Sequence, residues 1–255
     1  MRMTLVTYKA CLRFPIAAAV AFSFASCRPA PLSIDEIISR HTEAVGGRAA
    51  IEAIQSLQVD LHIVDPGFEV DGLYFAARPG RMRIDVKADG KHVFTEAFNG
   101  NRGWQWKGEG EIVDAKPEAA AALRRGVELP GKLFGLHEVR DRGNKLALAD
   151  REQVDGVTYH VLKLTFPDGY TTSLYIDPNT WLITRRRDYR PLHPDIDPRP
   201  TTIESVFSDY RSVNGVQFSF KSVDTDLQTG KVLETATVKQ IIVNPSIEES
   251  MFDRL

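Results

Sequence analysis

The chain has 255 residues, 43% of them hydrophobic and 26% charged, with a formal net charge of −2. So much apolar material excludes a disordered chain, and the near-balance of charge gives no reason to expect a nucleic-acid partner. The length suits one large all-β domain or two small ones.

Arg2, Lys9 and Arg13 are the only charges before Arg28, and Phe14–Ser26 (FPIAAAVAFSFAS) is apolar. A basic start, a short greasy run and small residues at its end make residues 1–26 a secretory signal. As a helix the run is too short to cross a bilayer core of roughly 30 Å. Phe24-Ala25-Ser26-Cys27 resembles a bacterial lipobox, in which the cysteine becomes the lipid-modified first residue of the mature protein. Phe24 departs from the usual aliphatic residue, and cleavage after Ala25 or Ser26 with a free thiol is the alternative. Cys11 lies inside the signal, so Cys27 has no partner in the mature chain and no disulfide staples the fold. Loss of the signal leaves 29 basic against 34 acidic side chains, a net charge of −5. Residues 27–32 then form a lipidated N-terminus and tether, and residues 33–255 a single domain.

Ser33–Gly47 (SIDEIISRHTEAVGG) carries the marks of a helix. Ser33 and Glu36 have capping-box spacing, and Ile34, Ile37, Ile38, His41 and Val45 share one face. Gly46-Gly47 ends it. Arg48–Ile54 adds another helical turn or two, and then the period changes from 3.6 to 2. Leu57, Val59, Leu61 and Ile63 alternate with polar residues; so do Met82, Ile84 and Val86. Strands follow through Phe98, and Trp104 and Trp106 share a face of the next. Pro117–Arg125 reads as a helix and Val127–His137 as an apolar, glycine-punctuated continuation, an excursion from the β pattern. Strands resume from Lys145 to Val243, with Asp-Gly at 89–90, 155–156 and 168–169 and Asn-Gly at 214–215 as turns.

About eleven strands joined by such tight turns must be antiparallel neighbours. At ~4.8 Å per strand an open sheet of that size is roughly 50 Å wide, whereas a helix covers a strip only about 10 Å across. The expected fold is therefore mainly β: an incomplete antiparallel barrel with helices covering the concave face. Whatever the helices leave unfilled suits a greasy ligand. Met82, Ile84, Phe94, Phe98, Trp104 and Trp106 are read as its wall, with plain core packing as the alternative. Leu133 and Phe134 are read as contacts of a lid, and Ile37 and Ile38 as a plug or gate in the mouth.

Catalytic patterns are weak. His193, Asp195 and Asp197 alternate in a proline-rich loop but supply too few ligands for a metal. His137-Glu138 opens like a zinc-protease motif, yet Asp141 stands where the second histidine belongs. No cofactor and no enzymatic reaction is expected. His41 on the apolar stripe reads as a hydrogen-bonded core residue, and Arg186 must face away from Arg185 and Arg187.

The order of elements resembles the LolA/LolB superfamily of lipoprotein carriers. The likeness rests on the helix ending AVGG, on IEAIQSL, on TSLYIDPNTWLITRR, and on FSDYRSVNGVQFSF with the closing VNPSIEESMF. It covers Ser33 to Phe252 and is nearest to proteins described as outer membrane lipoprotein-sorting protein-like. The resemblance implies a half-barrel whose helices lie over a hydrophobic cavity that accepts acyl chains. LolA-like carriers are soluble and LolB-like receptors anchored, so Cys27 points to an anchored member. On this reading the protein is a monomeric cell-envelope lipoprotein, facing the periplasm, whose partner is a lipid or an acylated lipoprotein. A periplasmic regulatory sensor of the same fold, and a structural lipoprotein without ligand, are the alternatives.

Overall fold

The computed structural model describes residues 32–193 and 198–254. The signal, Cys27 and the tether up to Pro31 lie outside the described residues, as do Asp195 and Asp197.

Helix α1 (Ile34–Val45) begins where Ser33 Oγ accepts the Glu36 N–H at 3.1 Å. It ends at Gly46, whose φ of 135° is open to glycine. A Cβ there would lie 2.2 Å from the Gly215 carbonyl oxygen, so this glycine also permits helix and hairpin to touch. A short helix α2 (Arg48–Glu52) follows.

Among the described residues fourteen strands make one antiparallel sheet. The first meander is β1 (Ser56–Asp65), β2 (Phe68–Ala77), β3 (Arg81–Ala88), β4 (Lys91–Phe98), β5 (Gly103–Trp106) and β6 (Val113–Asp114). The second is β7 (Lys145–Leu148), β8 (Glu152–Val154), β9 (Val157–Thr165), β10 (Thr171–Ile176), β11 (Ile183–Arg190), β12 (Thr201–Val213), β13 (Val216–Asp226) and β14 (Val232–Val243). The strand count exceeds the expected eleven partly because β6 and β8 have two and three residues. Segments that short show no alternation to read. At Asp89-Gly90, Asp155-Gly156 and Asn214-Gly215 both turn residues have positive φ, as the tightest hairpins require.

β1 pairs with β14, so the first and last long strands meet in mid-sheet and join the two meanders. The open edges are therefore β6 and, beyond β9, β7. Register shifts at Asp60/Leu61, Val86/Lys87, Tyr175/Ile176 and Asp224/Thr225 add local bending. The sheet curls without closing.

That topology explains the excursion. From β6 the chain must travel to the opposite edge before β7 can start, and it does so as α3 (Pro117–Glu128) and the segment to Asn144. Pro117 pre-sets the first turn of α3, and the alanines that follow are strong helix formers. Two apolar clusters hold the cover down. One joins Ile51, Ile54, Leu123, Leu133 and Phe134 to Leu57, Tyr74, Met82, Phe98 and Phe218. The other joins Ile37, Leu136 and Val139 to Leu162, Leu164, Leu174, Ile176 and Ile183. Arg78 pins them by pairing with Glu138 at 2.6 Å and donating to the carbonyls of Ile54 and Leu133. Among the described residues no helix is long and apolar enough to cross a membrane.

Candidate ligand cavity

Between sheet and cover lies a cavity of about 930 Å³. Pockets that hold small ligands run to about 300–1,000 Å³, so this one has room for a long flexible molecule. Its apolar wall comes from alternate residues of adjacent strands: Leu57, Val59, Leu61 and Ile63 of β1, Tyr74 of β2, and Met82, Ile84 and Val86 of β3. Ala119, Ala122 and Gly126 of α3 face it from the cover, and their small size leaves the space open.

The wall built by β11 to β14 sets a cluster of charged side chains among apolar ones such as Phe207, Phe218, Val238 and Ile241. Arg186, Asp188 and Arg190 alternate along β11 and line the cavity with Asp224 and Glu234. Arg186 pairs with Asp188 at 2.7 Å and Arg190 with Asp224 at 2.9 Å; Tyr170 donates its hydroxyl to Asp188 at 2.9 Å. Burial would raise the Asp188 pKa, but Arg186, Thr172 and Arg190 outweigh it and hold the carboxyl low. Among the described residues Glu234 has no arginine partner, and burial with Asp224 nearby pushes it up to about 7.

Lys132 sits on the boundary between the walls. Its ammonium lies 4.7 Å from the centre of the Tyr74 ring. It makes no hydrogen bond or ion pair among the described residues. Its side chain is solvent-accessible on the lining; partial desolvation, and then Arg186, lower its pKa, and Glu234 and Asp224 oppose them.

Of the residues read from sequence as ligand-facing, Met82, Ile84 and Phe94 line the cavity. Phe98, Leu133 and Phe134 are buried in the first cluster, where Phe134 lies beneath the guanidinium groups of Arg78 and Arg142. The Leu133-Phe134 pair is thus an anchor of the cover, not a lid contact on the cavity. Ile37 is fully buried in the second cluster and Ile38 packs against it; from α1, His41 and Val45 line the cavity instead.

Trp104 and Trp106 lie on the opposite face of the sheet. β5 pairs Trp104 with Ala97 and Trp106 with Thr95, whereas Gln105 pairs with Glu96 on the cavity side. There the Trp104 indole N–H donates to the Phe252 carbonyl at 2.8 Å beneath the C-terminal turn Glu249–Phe252, and Trp106 lies against His92. Turn register decides the face of a four-residue strand, and alternation alone does not reveal it.

The triple arginine divides as its parity requires. Arg186 faces the cavity, while Arg185 and Arg187 both pair at 2.7 Å with Glu204. His41 is buried with Nδ1 2.7 Å from the Trp181 carbonyl oxygen, and burial lowers its pKa to about 4. It is therefore neutral near pH 7 and donates this bond. His193 Nε2 lies 3.4 Å from Asp65 and 3.8 Å from Glu234, and no group of three potential metal ligands occurs among the described residues.

No family model and no curated protein matches the chain. Solved structures do. A LolA superfamily protein from Nitrosomonas europaea superposes with a TM-score of 0.57 at 12% identity, over 88% of this chain and 98% of that one. A DUF1329 family protein from Desulfovibrio piger gives 0.58 at 12% identity, over 86% and 97%. An outer membrane lipoprotein-sorting protein domain from Vibrio parahaemolyticus gives 0.53 at 13% identity, over 86% and 95%. The fold of this chain is LolA-like.

Proposed function

We propose that the protein is an exported envelope lipoprotein that binds acylated ligands, a free lipid or the lipid-modified end of another lipoprotein, for carriage or sorting. The observation that carries this reading is the cavity of about 930 Å³ with its continuous apolar wall on β1 to β3. The LolA-like fold supports it, since one similar structure is described as a lipoprotein-sorting domain. Signal cleavage, lipidation of Cys27, a monomeric state and a periplasm-facing anchor belong to the proposal.

Binding works by exchange of contacts. Each methylene sheltered on the apolar wall contributes about 0.8 kcal/mol, so a partly sheltered acyl chain is held firmly but reversibly. The ligand enters past Phe68 and Tyr189, both of which are exposed and line the cavity. α1 stays in place during entry, because Ile37 is locked into its own cluster.

Native mass spectrometry of the purified chain carrying Cys27→Ser tests the function. One acyl-bearing molecule per chain is expected, and a cavity that stays empty when offered envelope lipids and lipoproteins refutes it. Metabolic labelling with a radioactive fatty acid, comparing wild type with Cys27→Ala, tests the anchor.

A further inference from the structure

Cross-strand pairing sets four polar side chains in one row across the sheet. Arg186 on β11 pairs with Ser205 on β12, Ser205 with Asp224 on β13, and Asp224 with Glu234 on β14. All four line the cavity, each within four residues of an end of its strand. Residues two apart share a face of a strand, so the next row inward on the lining is Phe207, Ser222, Ala236 and Ile63, apolar but for one hydroxyl. Val238 and Leu61 follow. Polarity therefore changes at one depth, and from there the apolar surface runs on into the wall of β1 to β3. An amphiphile lying along the strands has its chain on that surface and its polar end at the row.

The charges at the row are matched. Arg186 has Asp188, whose side chain is only 2% exposed, and Arg190 has Asp224. Glu234 adds a carboxyl with no arginine of its own among the described residues. The lysines of the lining, Lys107, Lys132 and Lys221, are exposed to solvent, which screens them. Among the described residues the row thus has no surplus positive charge, and an anion brought there meets three carboxyls.

Hydrogen-bonding capacity is in surplus. A guanidinium has five N–H donors. Arg186 donates from Nε to Asp188 at 2.7 Å and from Nη2 to Ser205 Oγ at 3.4 Å, and the described residues take only these two. Its side chain, 18% exposed, lines the cavity with the Phe207 ring 5.8 Å from the guanidinium carbon. Three donors remain for a ligand.

We propose that Arg186 and Glu234 recognise an uncharged polar end of an acylated ligand, Arg186 donating to a carbonyl oxygen and Glu234 accepting from a hydroxyl, while the chain lies inward along Ala236, Ile63 and Leu61. An ester that carries free hydroxyls has both groups. This rests on the acyl-binding reading above and narrows it.

The test is displacement of the neutral hydrophobic probe N-phenyl-1-naphthylamine from the folded chain by 1-decanoylglycerol, methyl decanoate, decanoate and decyltrimethylammonium. It is run at pH 8, above the pKa of about 7 at Glu234. The glyceride is expected to bind more tightly than each of the other three, and roughly tenfold more tightly than decanoate, the scale of a hydrogen bond to a charged group. A merely greasy cavity would instead favour methyl decanoate, which has the same chain and no hydroxyl. The double variant Arg186→Met with Asp188→Asn removes the pair together, so that no buried charge is stranded, and its affinity for the glyceride falls roughly tenfold. Glu234→Gln removes a negative charge and narrows the gap between glyceride and decanoate. Thermal melts show whether the variants fold; where the double variant does not, Glu234→Gln decides alone. Binding of any other ligand as tightly as the glyceride, unchanged glyceride binding in the folded double variant, or an unchanged gap in Glu234→Gln overturns the assignment and leaves acyl binding standing. Failure of the probe and all four ligands to bind overturns both.

Discussion

Ile37→Ala separates a fixed seal from a moving gate. Ile37 is fully buried among Leu136, Val139, Leu162, Leu164, Leu174 and Ile176, and it does not line the cavity. The substitution removes three carbons, a transfer loss of about 2.4 kcal/mol at roughly 0.8 kcal/mol each. Incomplete collapse of the surrounding β9–β11 side chains adds a cavity penalty, for a total of about 2–5 kcal/mol. In a domain of this size that is a fall in Tm of roughly 5–15 °C. Urea unfolding with an unchanged m-value measures it, and affinity for a fluorescent acyl probe should stay within about threefold, since no ligand contact is lost. Ile38→Ala, half-buried at the edge of the same cluster, should cost less. A loss below about 1 kcal/mol, accompanied by faster probe exchange, would show that α1 swings aside and would refute the fixed seal.

Further outcomes follow from the packing and the charges. Gly46→Ala should destabilise by more than about 1 kcal/mol in urea unfolding, because the new Cβ meets the Gly215 carbonyl and φ is 135°. Gly90→Ala, with open space around its Cβ, isolates the effect of positive φ alone. Arg78→Met should cost about 3–5 kcal/mol by leaving the Glu138 carboxylate unpaired, read in the same assay. His41 has a folded pKa near 4, below its ordinary 6.5, so the unfolded chain takes up this proton first as pH falls. Its share of stability is complete above pH 6.5 and is lost towards pH 4, roughly 3 kcal/mol in all. Glu234, raised to about 7, acts in the opposite sense: its share is present at acid pH and is lost as pH rises through 7. The two partly cancel in the wild type. The stability difference between wild type and His41→Gln should therefore widen from pH 4 to 6.5, and a pH-independent difference would refute the assignment.

Local signals account for what could be read in advance. α1 was legible because its cap, apolar stripe and terminal glycines all lie within fifteen residues, and the hairpins because Asp-Gly and Asn-Gly dictate their turns. The incomplete barrel followed from strand number against helix width. Long-range facts were out of reach. Nothing local shows that β1 pairs with β14, and it is that pairing which places β6 and β7 on opposite edges and sends α3 across the cavity. Phe94 and Phe98 share a face, yet Phe98 lies within the first cluster and Phe94 on the cavity. The parity of Trp104 and Trp106 depends on one turn, as shown above. Lys132 stands in an aperiodic stretch, Leu129–Phe134, and its place against Tyr74 exists only in the folded chain.

Acyl binding in the cavity is tested most directly by photolysis of a diazirine-bearing palmitate on the folded protein, with adducts mapped by peptide mass spectrometry. Adducts are expected on Leu61, Tyr74, Met82 and Ile84, and they should fall sharply in Ile84→Asp, which sets a charge in the apolar wall. Labelling confined to the opposite face, around Trp104 and Arg187, or labelling unchanged in Ile84→Asp, would contradict it.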